Sequence, residues 1–163
     1  LMLTCGKGML NAGRMFKATS HTRRHILMYG LEGAGKTMLL YKLKLPHWPR
    51  AQLIDDLKKL EAKEGADGSI DRGYHYEEFD KGGSFGKYGL WDIPGSAEMV
   101  PMWPVFYRYI PISGVIFVVD GADYEDVPKM MTVRQHVEFL YNEPELALCG
   151  FLVLINVGHW QIR

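Results

Sequence analysis

Residues 30–37 read GLEGAGKT and match the pattern G-x-x-x-x-G-K-[ST], whose residue types can bind the phosphates of a nucleotide. Glycine lets the backbone turn sharply, so that consecutive N–H groups converge on one phosphate. Lys36 would bring a cation to the β- and γ-phosphate oxygens, and the hydroxyl of Thr37 can ligate Mg²⁺. The residues predicted to contact the nucleotide here are Gly30, Leu31, Glu32, Gly33, Ala34, Gly35, Lys36, Thr37 and Met38.

A second motif lies at residues 91–95, WDIPG, where Asp92 and Gly95 have D-x-x-G spacing. An aspartate at the end of a strand can hold a Mg²⁺-bound water. The N–H of Gly95 could reach a γ-phosphate that a side chain would obstruct. Aspartate and glycine are common in turns, so this motif alone is weak. Its place after a phosphate loop favours a loop that senses a nucleoside triphosphate.

The elements that would position these motifs follow from hydrophobic periodicity. Short apolar runs predict buried strands over residues 25–29, 114–120 and 148–156. Helical spacing predicts helices over residues 36–45, 51–64 and 124–142. The runs GYHYEEF and KYGLWD flank a glycine-rich turn and predict a hairpin. This alternation predicts an α/β fold with a mostly parallel sheet, one antiparallel hairpin strand and helices on both faces. A strand and a helix on either side of GLEGAGKT count against a chance glycine turn.

The composition is that of one globular domain. The chain has 163 residues, of which 47% are hydrophobic, and a formal net charge of +0. Its cysteines, Cys5 and Cys149, lie far apart without metal-ligand spacing, so we expect free thiols and a cytoplasmic location. The apolar runs are too short to span a bilayer, and the N-terminus lacks the apolar stretch of a secretory signal. No nucleic-acid partner is expected.

Residues 1–24 differ from the rest of the chain because they contain five basic residues and no acidic ones. Leucine, methionine and phenylalanine are interleaved with these charges. Such a segment can make peripheral contact with an anionic membrane surface. A basic tail that frays in solution or packs on its own domain is the alternative, and the composition leaves both open. We treat residues 1–24 as an N-terminal extension and residues 25–163 as the domain.

The runs ILMYGLEGAGKTMLLYKLKL and GVIFVVDGAD, and the tryptophan before the D-x-x-G aspartate, resemble the Arf (ADP-ribosylation factor)-like small GTPase family. The resemblance covers about residues 25–156, apart from residues 51–64, which would be an inserted helix in the switch I region. It implies a P-loop GTPase sheet and a GTP/GDP-binding switch that uses Mg²⁺ and acts in vesicle or membrane trafficking. It also implies exchange factors, GTPase-activating proteins and effectors as partners. The basic extension would place the protein peripherally on an endomembrane.

By position in the family, Tyr74, Trp91 and Phe106 would form an aromatic cluster on the effector surface. As residues alone they could be ordinary core or hairpin aromatics, and both interpretations remain open. Asn156 matches the first residue of the family's guanine-reading motif, N-K-x-D.

The chain departs from the family pattern in the residues for catalysis and metal binding. Ser96 occupies the place of the catalytic glutamine, which orients the attacking water, and Pro94 removes a backbone N–H from the same loop. Asp71 aligns with the threonine that completes the Mg²⁺ shell. The predicted metal ligands are Thr37, Asp92 through a water, and Asp71. With Ser96 in the catalytic position, we expect weak GTP hydrolysis.

Base recognition and the C-terminal part also differ from the family. Asn156 remains, whereas Val157 and His159 replace the lysine and the aspartate of N-K-x-D. A neutral imidazole accepts at most one hydrogen bond from guanine, so we expect poor guanine selectivity. The family's last strand and helix have no counterpart before Arg163, which predicts an uncovered strand edge.

These departures leave three functions open. The first is a GTP/GDP switch with slow hydrolysis. The second is a pseudo-GTPase that binds nucleotide weakly or not at all and acts as an interaction module. The third is an ATP-dependent P-loop enzyme, which is disfavoured because no arginine-rich lid follows the phosphate loop.

Overall fold

The computed structural model of the chain describes residues 3–4, 24–47, 49, 52, 55–56, 59, 73–80, 82 and 86–157. Its strands are β1 (Leu3–Thr4), β2 (Arg24–Tyr29), β3 (His75–Asp80), β4 (Lys87–Asp92), β5 (Ile112–Asp120) and β6 (Gly150–Asn156). Its α-helices are α1 (Lys36–Lys44), α2 (Trp103–Tyr109) and α3 (Val127–Asn142). Short 3₁₀ segments cover Val100–Met102, Gly121–Glu125 and Pro144–Leu146.

The strands form one sheet in the order β1-β6-β5-β2-β4-β3. Strand β2 pairs in parallel with both β4 and β5, and β5 pairs in parallel with β6. Strand β3 is antiparallel to β4 at one edge, which confirms the predicted hairpin. The predicted α/β fold with a mostly parallel sheet is therefore confirmed.

Apolar side chains alternate along β2 and supply a core on each face of the sheet. Leu27 and Tyr29 pack on one face with residues of α2 and α3, including Trp103. Met28 packs on the other face with Leu40 of α1. Helices therefore cover both faces, as predicted, and the loop after β2 emerges between the two layers.

Strand β1 is not among the predicted elements. It pairs antiparallel with β6, with Leu3 opposite Val153 and Thr4 opposite Leu152. The prediction of an uncovered strand edge is corrected at these positions, because residues from the chain's own N-terminal segment pair with that edge. The rest of the segment 1–23 lies outside the described residues.

The start of α3 differs from the prediction. The helix begins at Val127 rather than at residue 124, and Gly121–Glu125 forms a 3₁₀ turn before it. The side chain of Asp126 accepts a hydrogen bond from the N–H of Lys129, and Pro128 occupies the first turn. Both features define a helix start, which apolar spacing alone does not locate.

Several predicted features fall partly or wholly outside the described residues. Within the predicted helix 51–64, the described positions 52, 55, 56 and 59 are helical, and the rest of the segment is not described. Asp71 and His159 also lie outside the described residues. In the part of the chain that is described, no helix has the length and apolar character needed to cross a membrane.

Candidate functional site

The phosphate loop, residues 30–35, joins the end of β2 to the start of α1. Gly35 has a φ of 89°, and a Cβ atom there would lie 2.3 Å from Nδ2 of Asn156. Gly30 has a φ of 146°, and a Cβ atom there would lie 2.3 Å from the carbonyl oxygen of Val118. Both positions require glycine, because φ is positive and the neighbouring atoms leave no room for a side chain.

The residues predicted to contact phosphates differ in exposure along this turn. The exposed residues, at the tip, are Glu32 and Gly33. The buried residues are Gly30, Ala34 and Lys36. The half-buried residues are Leu31, Gly35, Thr37 and Met38. The tip of the loop is thus open to solvent, whereas its base is held in the core.

Lys36 is 7% exposed, and its Nζ donates hydrogen bonds of 2.9 Å to the carbonyl oxygens of Gly30 and Leu31. Burial lowers the pKa of Lys36, and the negative charges of Asp92 and Glu32 partly oppose that decrease. Two backbone acceptors therefore hold the ammonium group inside the turn of the loop. A phosphate bound there would offer the same group a charged acceptor.

Thr37 and Asp92 come together at one edge of the sheet, because α1 begins and β4 ends there. Oγ1 of Thr37 donates a hydrogen bond to Oδ2 of Asp92 at 2.5 Å. Asp92 is 4% exposed. A hydroxyl and a carboxylate are the oxygen donors that Mg²⁺ prefers, so these two residues fit the predicted metal site. Asp71, the third predicted ligand, lies outside the described residues.

The loop that contains Gly95 lies directly against the phosphate loop. The N–H of Glu32 donates to the carbonyl oxygen of Gly95 at 3.2 Å. A Cβ atom at Gly95 would lie 1.9 Å from the carbonyl oxygen of Gly30, so a larger residue would push the two loops apart. The two segments predicted to contact phosphate are therefore in backbone contact with each other.

Two further contacts, which no sequence pattern indicates, anchor the loop of Gly95. The N–H of Ile93 donates to the carbonyl oxygen of Met28 at 3.1 Å, and Nε1 of Trp103 donates to that of Pro94 at 2.9 Å. Trp103 is 1% exposed. The tryptophan lies at the first position of α2, so this helix determines where the loop is held.

Ser96, which occupies the predicted catalytic position, has a buried hydroxyl group. Its Oγ has no hydrogen-bond partner among the residues that the structure describes. Its carbonyl oxygen accepts hydrogen bonds from the N–H groups of Met99 and Val100, at 2.9 and 3.0 Å. The hydroxyl of Ser96 is therefore shielded from solvent.

Asn156 lies at the end of β6 and reaches the phosphate loop. Its Nδ2 donates to the carbonyl oxygen of Ala34 at 3.1 Å, across 122 residues of sequence. This hydrogen bond connects the predicted base-binding end of β6 to the phosphate loop. Val157, in the place of the family's lysine, is 56% exposed.

The aromatic residues of the predicted effector surface form a cluster. The ring centroid of Tyr74 lies 5.0 Å from that of Trp91 and 5.5 Å from that of Phe106. Tyr74 is 50% exposed, whereas Trp91 and Phe106 are half-buried and pack against the core. Two neighbours that the sequence did not indicate extend the cluster. Tyr76 lies 4.6 Å from Trp91, and His25 Nδ1 accepts a hydrogen bond from Trp91 Nε1 at 3.1 Å.

Comparisons with known proteins agree on one family. The sequence model of the ADP-ribosylation factor family matches residues 57–159. ADP-ribosylation factor J of Dictyostelium discoideum is 30% identical over 146 residues, which are 90% of this chain and 64% of that protein. This chain therefore spans less than the full length of that relative.

The structure is similar to that of the Arl6 BBS3 small GTPase from Trypanosoma brucei, which contains the nucleotide analogue GppNp. The TM-score is 0.53 at 21% sequence identity, over 77% of this chain and 58% of the other. At this identity the similarity shows the fold.

Proposed function

This chain belongs to the ADP-ribosylation factor family, and on that basis we propose that it is a molecular switch that binds GTP and GDP at the phosphate loop. The observation that carries the proposal is the meeting of Lys36, Thr37 and Asp92 at one edge of the sheet. These side chains offer a cation for phosphate oxygens and oxygen ligands for a metal ion. The similar Arl6 structure has bound GppNp, which supports a guanine nucleotide as the ligand.

Mg²⁺ would be held by the Thr37 hydroxyl, by Asp92 through a water, and by Asp71. The metal ion would neutralise charge on the β- and γ-phosphates. Lys36 would supply a second positive charge. The N–H of Gly95 would donate a hydrogen bond to the γ-phosphate. The carbonyl oxygen of Gly95 accepts a hydrogen bond from the N–H of Glu32, so the loop that would contact the γ-phosphate is already joined to the phosphate loop.

We propose that GTP hydrolysis is slow. A water-orienting side chain is the main contribution of this loop to catalysis in small GTPases. Ser96 has a short side chain with a buried hydroxyl, and Pro94 removes one backbone N–H and stiffens the loop. Turnover would therefore depend on groups supplied by a GTPase-activating protein.

The proposed cellular role is membrane trafficking, with the protein cytoplasmic and peripheral on an endomembrane. Residues 1–24 would make the membrane contact through their basic and apolar side chains. Exchange factors and GTPase-activating proteins would act at the nucleotide site, and effectors at the cluster of Tyr74, Trp91 and Phe106. Flotation with anionic and neutral vesicles tests the membrane contact. Equal recovery after deletion of residues 1–20 would contradict it.

A second candidate is a pseudo-GTPase that acts as an interaction module. The hydrogen bond from Glu32 to Gly95 favours it, because this bond uses a phosphate-loop N–H and closes the sensing loop onto the phosphate loop. The replacement of two residues of N-K-x-D also favours it.

Identification of the nucleotide that the purified protein carries separates these candidates. The protein is denatured and the released nucleotides are separated by ion-exchange chromatography. GDP or GTP at a stoichiometry near one is the expected result. Protein free of nucleotide that also fails to bind added GDP would favour the pseudo-GTPase, and ADP or ATP would contradict both candidates.

A further inference from the structure

One peptide group in the loop after β4 has two polar ends with different surroundings. The carbonyl oxygen of Pro94 accepts a hydrogen bond of 2.9 Å from Nε1 of Trp103. The N–H of Gly95, at the other end of the same peptide group, donates to no other residue that the structure describes. Gly95 is buried, and the N–H groups of buried residues are nearly always paired in folded proteins. An oxygen of a bound phosphate would supply that partner.

The directions of these two groups are linked, because a peptide group is planar. The bond between Pro94 and Gly95 is trans, so its C=O and N–H point in opposite directions. A donor that fixes the carbonyl oxygen therefore fixes the direction of the N–H as well. Neither residue does this by itself, since the proline ring restrains φ but not ψ, and glycine has no Cβ. The hydrogen bond from Trp103 therefore holds the peptide plane in one orientation.

The indole that makes this hydrogen bond is itself held in place by the sheet. Trp103 is 1% exposed, and its ring centroid lies 4.8 Å from that of Tyr29 and 6.2 Å from that of Phe117. The hydroxyl of Tyr29 also donates to the carbonyl oxygen of Trp103 at 3.2 Å. Tyr29 directly precedes Gly30, so the strand that leads into the phosphate loop also positions the donor for the second loop.

We propose that Trp103 is a positioning residue that orients the N–H of Gly95 and thereby sets the preference of the site for GTP over GDP. The proposal rests on the proposed nucleotide-binding function and adds a residue that controls recognition of the γ-phosphate. Only a triphosphate has an oxygen that would accept the Gly95 hydrogen bond. The phosphate loop, in contrast, would contact phosphates that GDP and GTP share. Loss of the indole donor should therefore weaken binding of a triphosphate and spare binding of a diphosphate.

Isothermal titration calorimetry of the parent and Trp103→Phe with Mg²⁺ tests the proposal. The two ligands are GDP and GppNp, whose imido bridge in place of the β–γ oxygen resists hydrolysis during the titration. We expect Trp103→Phe to bind GppNp about tenfold more weakly than the parent, because a hydrogen bond to a charged oxygen loses its alignment. Its affinity for GDP should stay within about twofold of the parent value, because GDP makes no contact with Gly95.

A purely structural role of Trp103 predicts a different result. The unfolded chain binds neither nucleotide, so a loss of stability lowers both apparent affinities by the same factor. Val133→Ala removes packing from the same core and retains the indole donor, so its ratio of GppNp to GDP affinity should equal that of the parent. Equal losses for both nucleotides in Trp103→Phe, or no loss for either, would overturn the proposal. A parent that binds neither nucleotide would contradict the proposed function itself, and the proposal with it.

Hydrogen exchange of the Trp103 indole, followed by ¹H–¹⁵N NMR of the parent, gives a second readout that does not depend on the folding of Trp103→Phe. The indole proton should exchange slowly with either GDP or GppNp bound, because it stays bonded to the carbonyl oxygen of Pro94 in both states. The amide proton of Gly95 should shift downfield with GppNp and not with GDP. Fast exchange of the indole proton in the GppNp complex, or the same Gly95 shift with both nucleotides, would overturn the proposal.

Discussion

The side chain of Ser96 determines what the loop after β4 can do to a bound nucleotide. Its hydroxyl is buried without a hydrogen-bond partner among the described residues, and its side chain is too short to orient a water as the family's glutamine does. The side chain of a glutamine at this position would be longer, so its amide could extend from the buried position toward the phosphate loop.

We therefore expect Ser96→Gln to hydrolyse bound GTP faster than the parent in a single-turnover assay. Ser96→Asn carries the same amide on a shorter side chain and should remain slow. Fast hydrolysis by the parent would contradict the account of Ser96. Equal, slow rates in parent and Ser96→Gln would place the defect elsewhere, in the first switch region around Asp71.

A sequence motif fixes both residue type and backbone geometry, so it can place residues relative to one another. Thr37 and Asp92, predicted from two separate motifs, lie within hydrogen-bond distance in the structure. Their role in nucleotide binding stays a prediction. Trp103 could not be found in this way. Its contact depends on an indole that reaches back across a turn to the carbonyl oxygen of Pro94, and this produces no spacing in the sequence.

At the scale of elements, helix α2 fixes the loop of Gly95 through the indole of Trp103. The hydrogen bond from Nε1 to the carbonyl oxygen of Pro94 is 2.9 Å long. The indole ring also packs on Tyr29 of β2, with 4.8 Å between ring centroids. The loop, α2 and β2 are thus joined through one side chain.

Trp103→Phe keeps an aromatic ring at this position but removes the hydrogen-bond donor. We expect it to reduce the free energy of unfolding by about 1–3 kcal/mol, because a carbonyl oxygen loses its partner and the ring becomes smaller. Urea unfolding measures this change. Tyr109→Phe, at the exposed end of the same helix, should change stability by less than about 0.5 kcal/mol. A similar, small change in both variants would show that the indole does not anchor the loop.

Helix α3 contributes a histidine whose charge affects stability. His136 packs edge-on against Trp103, with ring centroids 5.2 Å apart, and burial lowers its pKa from the ordinary value of 6.5. Between the lowered pKa and 6.5, the unfolded chain binds more protons than the folded one. The contribution of His136 to stability is therefore complete above pH 6.5 and decreases as the pH falls below that value.

We expect the thermal midpoint of the parent to fall between pH 7.5 and pH 5.5 by more than that of His136→Gln. Glutamine fills part of the same space without a titrating group. Differential scanning fluorimetry of both proteins over this pH range makes the comparison. An identical pH dependence would mean that His136 does not couple protonation to folding.

Sequence periodicity located most elements but not all of their ends. The apolar runs of β2, β5 and β6 and the glycine-flanked hairpin were identified because burial imposes a pattern on the strands themselves. The start of α3 depends on Asp126 as a cap rather than on apolar spacing. Strand β1 has only two residues, too few for any period, and only its pairing with β6 makes it a strand.

At the scale of the whole molecule, the sheet brings distant parts of the chain to one edge. The phosphate loop follows β2, Asp92 ends β4 and Asn156 ends β6. Parallel strands present their carboxyl ends at the same edge, and ligands of open α/β sheets bind there. The nucleotide proposed to bind at this edge would lie against all three segments.

Mg²⁺-dependent binding of GDP, measured by isothermal titration calorimetry, tests the central claim most directly. The parent should bind GDP, and Lys36→Ala should bind at least about tenfold more weakly, because a charged hydrogen bond to phosphate is lost. Lys42→Ala, on the exposed side of the same helix, should bind like the parent. Lys36→Ala that binds GDP as tightly as the parent would contradict the account.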